Sequence, residues 1–146
     1  MAGASREITM DARPETVFRV VTDYEAYPEF IEEIVESEIL SRSERSVECR
    51  FLAEVAKKRF QYTLHLEHTP FEKTRWHLIA GDFKQNTGGW DFVPLDDSVR
   101  THVKYTVEID LGMFIPKFIV NTLVGANMPK MLEAVKKRAE ALEKQA

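Results

Sequence analysis

Four histidines, one cysteine and a scatter of serines and carboxylates are the residues of this chain equipped for proton transfer, nucleophilic attack or metal binding. His65 and His68 stand three apart in a stretch of period two, so they point to opposite sides of a strand and cannot share a metal ion. His65-Leu-Glu-His resembles a His-Glu-x-x-His zinc motif only superficially. His77 and His102 fall on wet faces, and His68 takes an inward register at a strand end, where a hydrogen-bonded rim residue is a simpler reading than a general base. Asp82, Asp91, Asp96 and Asp97 occupy turns or outward positions and read as turn chemistry. Ser41, Ser43 and Ser46 form a polar turn without a paired histidine, and no glycine-rich phosphate loop leads from a strand into a helix. Cys49 has no partner for an intrachain disulfide and reads as a small buried thiol. No catalytic set, metal site or cofactor site is expected.

What remains is a sparse set of polar groups on apolar registers: the Tyr62 and Tyr105 hydroxyls and the Trp90 indole N–H. Buried, each needs a partner. Facing a pocket, they would orient a ligand carbonyl or hydroxyl; facing a filled core, they would meet backbone or water.

The elements that must position them follow from periodicity. Ser5 to Met10 reads as a short strand. Pro14 suits the first position of a helix and Glu15 its positive end, and Val17, Phe18, Val20, Val21 and Tyr24 continue as a helical stripe. Asp23 is placed to cap a second short helix over Tyr27 to Ile31. From Ile34 the period becomes two. Val47, Cys49, Phe51, Ala53 and Val55 form one inward run; Phe60, Tyr62, Leu64 and Leu66 the next. Trp76 with Leu78, Trp90 with Phe92, and Val103 through Leu111 complete the set. Such alternation predicts an antiparallel sheet with one dry and one wet face. Gly88-Gly89 marks a bend where that sheet curves. The expected order is strand, two helices, six strands and one long helix.

That last helix, from Ile115 to the end, changes character midway. Beyond Met131 it is amphipathic, with Leu132, Val135, Ala139 and Leu142 on one side. Before it, Phe118, Ile119, Val120, Leu123, Val124, Ala126 and Met128 run nearly all the way round, which calls for apolar surroundings on two sides. Pro129 has no N–H for the Gly125 carbonyl, and a residue ahead of a proline is pushed from helical geometry, so a kink is expected at Gly125 to Pro129. It reads as a static bend around a curved sheet or as the hinge of a lid.

Composition narrows the classes. A single domain over residues 1–146, large enough for a core without staples, is expected. A net charge of −4, with Lys57-Lys58-Arg59 the one basic block, argues against nucleic acid as the main partner. No stretch approaches a membrane span and the N-terminus lacks a signal-peptide pattern, so a cytoplasmic protein is expected, with Met113, Phe114 and Ile115 either touching a membrane surface transiently or plugging the space under the helix start.

Four local patterns carry a family resemblance. Asp11-Ala-Arg-Pro-Glu-Thr-Val-Phe, Val21-Thr-Asp-Tyr-Glu-Ala-Tyr-Pro-Glu-Phe, Gly81-Asp-Phe-Lys and Gly89-Trp-Asp-Phe occur in this order around the strand run. The chain thus resembles the START-like, helix-grip (SRPBCC) superfamily, in the branch of polyketide cyclase/dehydrase and coenzyme Q-binding proteins with their ribosome-association toxin relatives. The resemblance implies an α+β helix-grip fold: a curved antiparallel sheet of six to seven strands wrapped around a long C-terminal helix, with two short helices between strands one and two. It implies carriage of a lipophilic molecule such as a quinone, an isoprenoid or another lipid. The ligand-binding residues are then expected to be Phe51, Tyr62, Leu64, Leu66, Trp76, Leu78, Trp90, Phe92, Tyr105, Phe118 and Val124. Two alternatives come with it. One is a cyclase or dehydratase in which Tyr62, Tyr105 or His68 moves protons; the other is a ribosome or other macromolecular binder using Lys57, Lys58 and Arg59.

Overall fold

The period-two stretches form seven strands in the computed structural model, which describes residues 2–145. They are β1 (Ala2–Met10), β2 (Ile34–Arg42), β3 (Ser46–Val55), β4 (Lys58–Thr69), β5 (Lys73–Gly81), β6 (Gln85–Leu95) and β7 (Arg100–Asp110). They make one curved antiparallel sheet in the order β1-β7-β6-β5-β4-β3-β2. Consecutive strands from β2 to β7 are neighbours, and β1 closes on β7. Its first residue is Ala2, three earlier than the alternation suggested.

Register places the aromatic residues together. Phe51 pairs with Tyr62, Thr74 with Trp90, Trp76 with Gly88, and Trp90 with Tyr105, all on the dry face. Gly88 is required there. A Cβ at that position would stand 2.6 Å from Trp76 Cζ2 and closer still to the Thr106 carbonyl, so the indole lies flat over bare backbone. The wet face carries exposed ion pairs such as Arg75 to Asp91 at 2.7 Å, which add little stability. Register shifts interrupt β2–β3 and also β4–β5, between Thr63 and Leu64.

Helix α1 (Pro14–Thr22) begins at Pro14 and buries Val17, Val20 and Val21. A turn at Tyr24–Ala26 and the short α2 (Tyr27–Phe30) follow; Asp23 makes no capping bond through its side chain. The last helix spans Lys117–Lys144 in three parts: α3 (Lys117–Thr122), a π turn (Leu123–Asn127) and α4 (Met128–Lys144). The joint falls at the expected place and takes a form the residue pattern did not specify. Asn127 and Met128 both keep helical geometry, and the Met128 N–H donates to the Leu123 carbonyl five residues back. A wider turn therefore absorbs the proline that a regular helix would reject.

Leu132, Val135 and Ala139 of α4 are buried, each large apolar side chain contributing ~1.5–3 kcal/mol by leaving water. Beyond them Glu143 accepts from the Arg13 backbone N–H at 2.8 Å and the Thr16 hydroxyl at 3.0 Å, and Glu140 from the Asp11 N–H at 2.9 Å. Arg13 supplies no side-chain cap to α1, and the Glu143 carboxylate of α4 places a negative charge at the positive end of that helix.

Two glycines separate space from strain. Gly88→Ala is expected to lower stability by about 1–3 kcal/mol, because Trp76 must move. Gly125→Ala meets nothing within 4 Å and is expected to raise stability by about 0.5–1 kcal/mol. Urea unfolding of the two variants measures both; a neutral Gly88→Ala would mean that the indole is not held against the strand.

Candidate functional site

Between the dry face and the last helix lies a cavity of about 120 Å³. The sheet supplies most of its wall; Ile119 and Leu123 close it from the first turns of the last helix, and Met131 from α4. Of the residues singled out in the sequence, Phe51, Tyr62, Leu64, Leu66, Trp76, Trp90 and Tyr105 border this space. Leu78, Phe92, Phe118 and Val124 do not. Leu78 is partly buried beyond the register shift that sets it opposite Leu64. Phe92 is buried edge-on against Phe18 of α1, which covers that end of the sheet. Phe118 turns outward, 59% exposed, and Val124, inside the π turn, does not border the cavity, which Leu123 of the same turn does.

The polar groups of the cavity decide its chemistry. Trp76 Nε1 donates to Asn86 Oδ1 at 2.9 Å, and Asn86 is itself only 5% exposed. Thr74, 1% exposed, borders the cavity with an Oγ1 that has no hydrogen-bond partner among the described residues. The buried Thr101, by contrast, donates to the Ala12 carbonyl at 2.7 Å. The tyrosines divide in the same way. Tyr24 is bonded to His68 and Tyr27 donates to the Val21 carbonyl. The Tyr62 and Tyr105 hydroxyls make no hydrogen bond among the described residues, and both rings border the cavity. Burial pushes both phenols well above their ordinary value, so they stay protonated.

Glu33, between α2 and β2, is the one charged residue on the cavity border among the described residues. Burial holds its carboxyl above the usual carboxylate range, and its charge acts on both Tyr62 and Tyr105. The sequence reading missed Glu33, Thr74, Asn86, Tyr24 and Tyr27 at this site. Thr74 and Asn86 carried a signal, since each lies two residues from an inward position on its own strand.

His68 sits outside the cavity border. Its Nε2 lies 2.8 Å from the Tyr24 hydroxyl, which keeps its proton under burial and donates to the unprotonated ring nitrogen. Cys49 is buried and its thiol pushed up, which keeps it unreactive. Among the described residues no three His, Cys, Asp or Glu side chains gather as metal ligands. The cavity thus offers hydrogen-bond donors in an apolar wall.

With this geometry in place, comparison with known proteins is informative. Residues 10–136 match the model of the family described as polyketide cyclase/dehydrase and lipid transport. The chain belongs to that family. One family relative is the ribosome association toxin RatA of Vibrio cholerae, 26% identical over 140 residues, which are 96% of each chain. Among solved structures, the Zhui aromatase/cyclase from a Streptomyces species superposes with a TM-score of 0.84 at 19% identity, covering 95% of this chain and 93% of that one. A STAR-related lipid transfer protein from Xanthomonas axonopodis superposes at 0.81 with 16% identity, covering 94% and 85%. At such identities the two structures speak for the fold, and a fold hosts many functions.

The Tyr24–His68 bond gives a signed pH dependence. Burial holds the imidazole below its ordinary value of 6.5, so the unfolded chain takes up a proton before the folded one does. Stability from this group is complete above about pH 6.5 and is lost as the pH falls below it. Urea midpoints at about pH 7.5 and 5.5 should fall more for wild type than for His68→Gln, which accepts the tyrosine proton without titrating. Equal falls would show that His68 is not held neutral by the fold.

Proposed function

We propose that the protein binds and carries a lipophilic small molecule, of the quinone, isoprenoid or other lipid class, in the cavity between sheet and last helix. The observation that supports this most directly is an apolar cavity left open inside the core, with hydroxyls on its wall that the protein itself does not use. A space of about 120 Å³ is somewhat smaller than the dry cavities of ~150 Å³ that bind benzene, so it is near the size of a single ring. A longer ligand requires α3 and the π turn to lift, and the joint at Leu123–Asn127 is where they would bend.

The segment that would lift adjoins an apolar tip. Met113 is 88% and Phe114 91% exposed, so neither plugs the space under the helix. No helix among the described residues is long and apolar enough to cross a membrane. In our reading the tip touches a lipid surface while the ligand passes in or out. Arg59 is paired with Glu54 at 3.0 Å, which leaves Lys57 and Lys58 as a thin basis for ribosome binding. The enzyme reading draws on Glu33, a carboxyl held up beside two tyrosines, as a proton donor for a cyclase or dehydratase.

Organic extraction of purified protein followed by mass spectrometry should yield a stoichiometric lipophile. Tyr62→Ala combined with Trp90→Ala, in a variant shown folded by circular dichroism, should reduce its uptake at least about tenfold. Wild-type uptake by that variant would place the ligand elsewhere. Separately, wild type should co-float with phosphatidylcholine vesicles, and Met113→Ser with Phe114→Ser should abolish flotation without altering the unfolding midpoint. Flotation unchanged by the double serine would remove the tip from the proposal.

A further inference from the structure

An apolar cavity that merely stored a hydrocarbon would do best with every polar group on its wall paired or removed. This cavity departs from that. Thr74 Oγ1 is fully enclosed with no partner among the described residues, whereas Thr101, another buried threonine of the sheet, has one. The Tyr62 and Tyr105 hydroxyls likewise make no hydrogen bond among the described residues, although of these groups only Thr74 Oγ1 is wholly enclosed, while Tyr24 and Tyr27, nearer the helices, are bonded. Asn86 has its oxygen occupied by the Trp76 indole, and no hydrogen bond among the described residues uses its Nδ2. The groups left over are therefore three hydroxyls and an amide NH₂.

Two of these lie on adjoining strands. Thr74 on β5 pairs with Trp90 on β6, and Trp90 pairs with Tyr105 on β7, so threonine and tyrosine flank one indole from either side. Trp90 and Tyr105 rings are 4.7 Å apart, and Trp76 and Tyr105 5.7 Å. Asn86 reaches the same region through its bond to Trp76, which can lie flat because position 88 has no side chain.

Charge is the second constraint. Among the described residues no Lys, Arg or His borders the cavity, and Glu33 is the one carboxyl there. A carboxylate or phosphate head would enter with no cation to meet it, and such a charge costs far more to desolvate than a carbonyl. A neutral oxygen acceptor loses little on leaving water and gains the waiting donors.

Resting on the reading of this cavity as a lipophile site, we propose that it selects uncharged ligands carrying a hydrogen-bond-accepting oxygen, which Thr74, Tyr105, Tyr62 and Asn86 receive, and that it rejects lipophilic carboxylates of the same size. The selection lies in the wall and not in the apolar volume, which treats equal tails alike.

Three size-matched probes test this: acetophenone, benzoate and ethylbenzene. The chain has two tryptophans, and both border the cavity, so the two indole N–H signals of ¹⁵N-labelled protein report occupancy. Acetophenone should bind about tenfold more tightly than ethylbenzene, and benzoate should bind at least about tenfold more weakly than either. Thr74→Val keeps the side-chain shape and removes the hydroxyl. It should lower acetophenone affinity about fivefold, leave ethylbenzene unchanged and raise the unfolding midpoint. Tyr105→Phe should lower acetophenone affinity in the same sense, should the valine variant fail to fold. Equal binding of all three probes, or tightest binding of benzoate, overturns the selection and leaves the lipophile site standing. Absence of any indole shift with all three probes, ethylbenzene included, overturns the site and the selection together.

Discussion

Glu140 and Glu143 lie on the far half of the last helix and accept hydrogen bonds from the stretch of chain that opens α1. Directional contacts of this kind fix a helix along its axis as well as against its neighbour, which apolar packing alone does less well. Leu132, Val135 and Ala139 hold the same half to the core. The near half has no comparable anchor: in α3 and the π turn only Ile119 is fully buried, and Phe118 faces outward. A helix fastened at one end and loosely seated at the other concentrates its freedom where the buried surface is least. The cavity lies under that loose end, and Ile119 and Leu123 form its ceiling.

The π turn also decides which residues form the ceiling. In an unbroken helix the inward face marked by Leu132 and Met128 continues back to Val124, four residues earlier. One extra residue in the wider turn shifts the phase, so that Leu123 and then Ile119 point inward and Val124 does not. Sequence periodicity measures phase only along a regular helix. Pro129 announced that regularity fails near residue 125, but it did not announce whether the chain would bend, break or widen. Phe118 and Val124 were therefore assigned to the site for their composition, and the structure places them off it for their phase.

The sheet was legible for the converse reason. Period two survives strand curvature, so the order of strand, two helices, six strands and long helix could be read directly, and so could seven of the residues around the cavity. Where ladders slip, as between Thr63 and Leu64, alternation still gives the face but not the neighbour. Thr74 and Asn86 escaped notice although they share the inward register of Trp76 and Trp90. A polar residue near a strand end looks like a turn residue until the partner strand shows that the ladder has already begun. Glu33, Tyr24 and Tyr27 come from the α1–β2 connection, whose approach to the sheet is a tertiary fact with no periodic signature.

Whether an aromatic-lined space is a packed core or a site is settled by its hydroxyls more than by its rings. Rings pack equally well against each other or against a guest, as Tyr62 stacked on Phe83 at 4.6 Å and Trp90 tilted against Tyr105 at 4.7 Å illustrate. A hydroxyl does not share this indifference: enclosed without a partner it costs about 1–3 kcal/mol, which a core avoids by bonding it to backbone or by replacing it with a methyl group. Tyr27 and Thr101 take the first course, and Tyr24 is bonded to the His68 ring instead. Thr74 takes neither, although valine has nearly its shape and would fill the same volume. Thr74 borders the cavity, and its Oγ1 is enclosed without a partner among the described residues. A shared fold with an aromatase/cyclase and a lipid transfer protein fixes the walls of such a space; the pattern of bonded and unbonded hydroxyls on those walls is where one member's chemistry separates from another's.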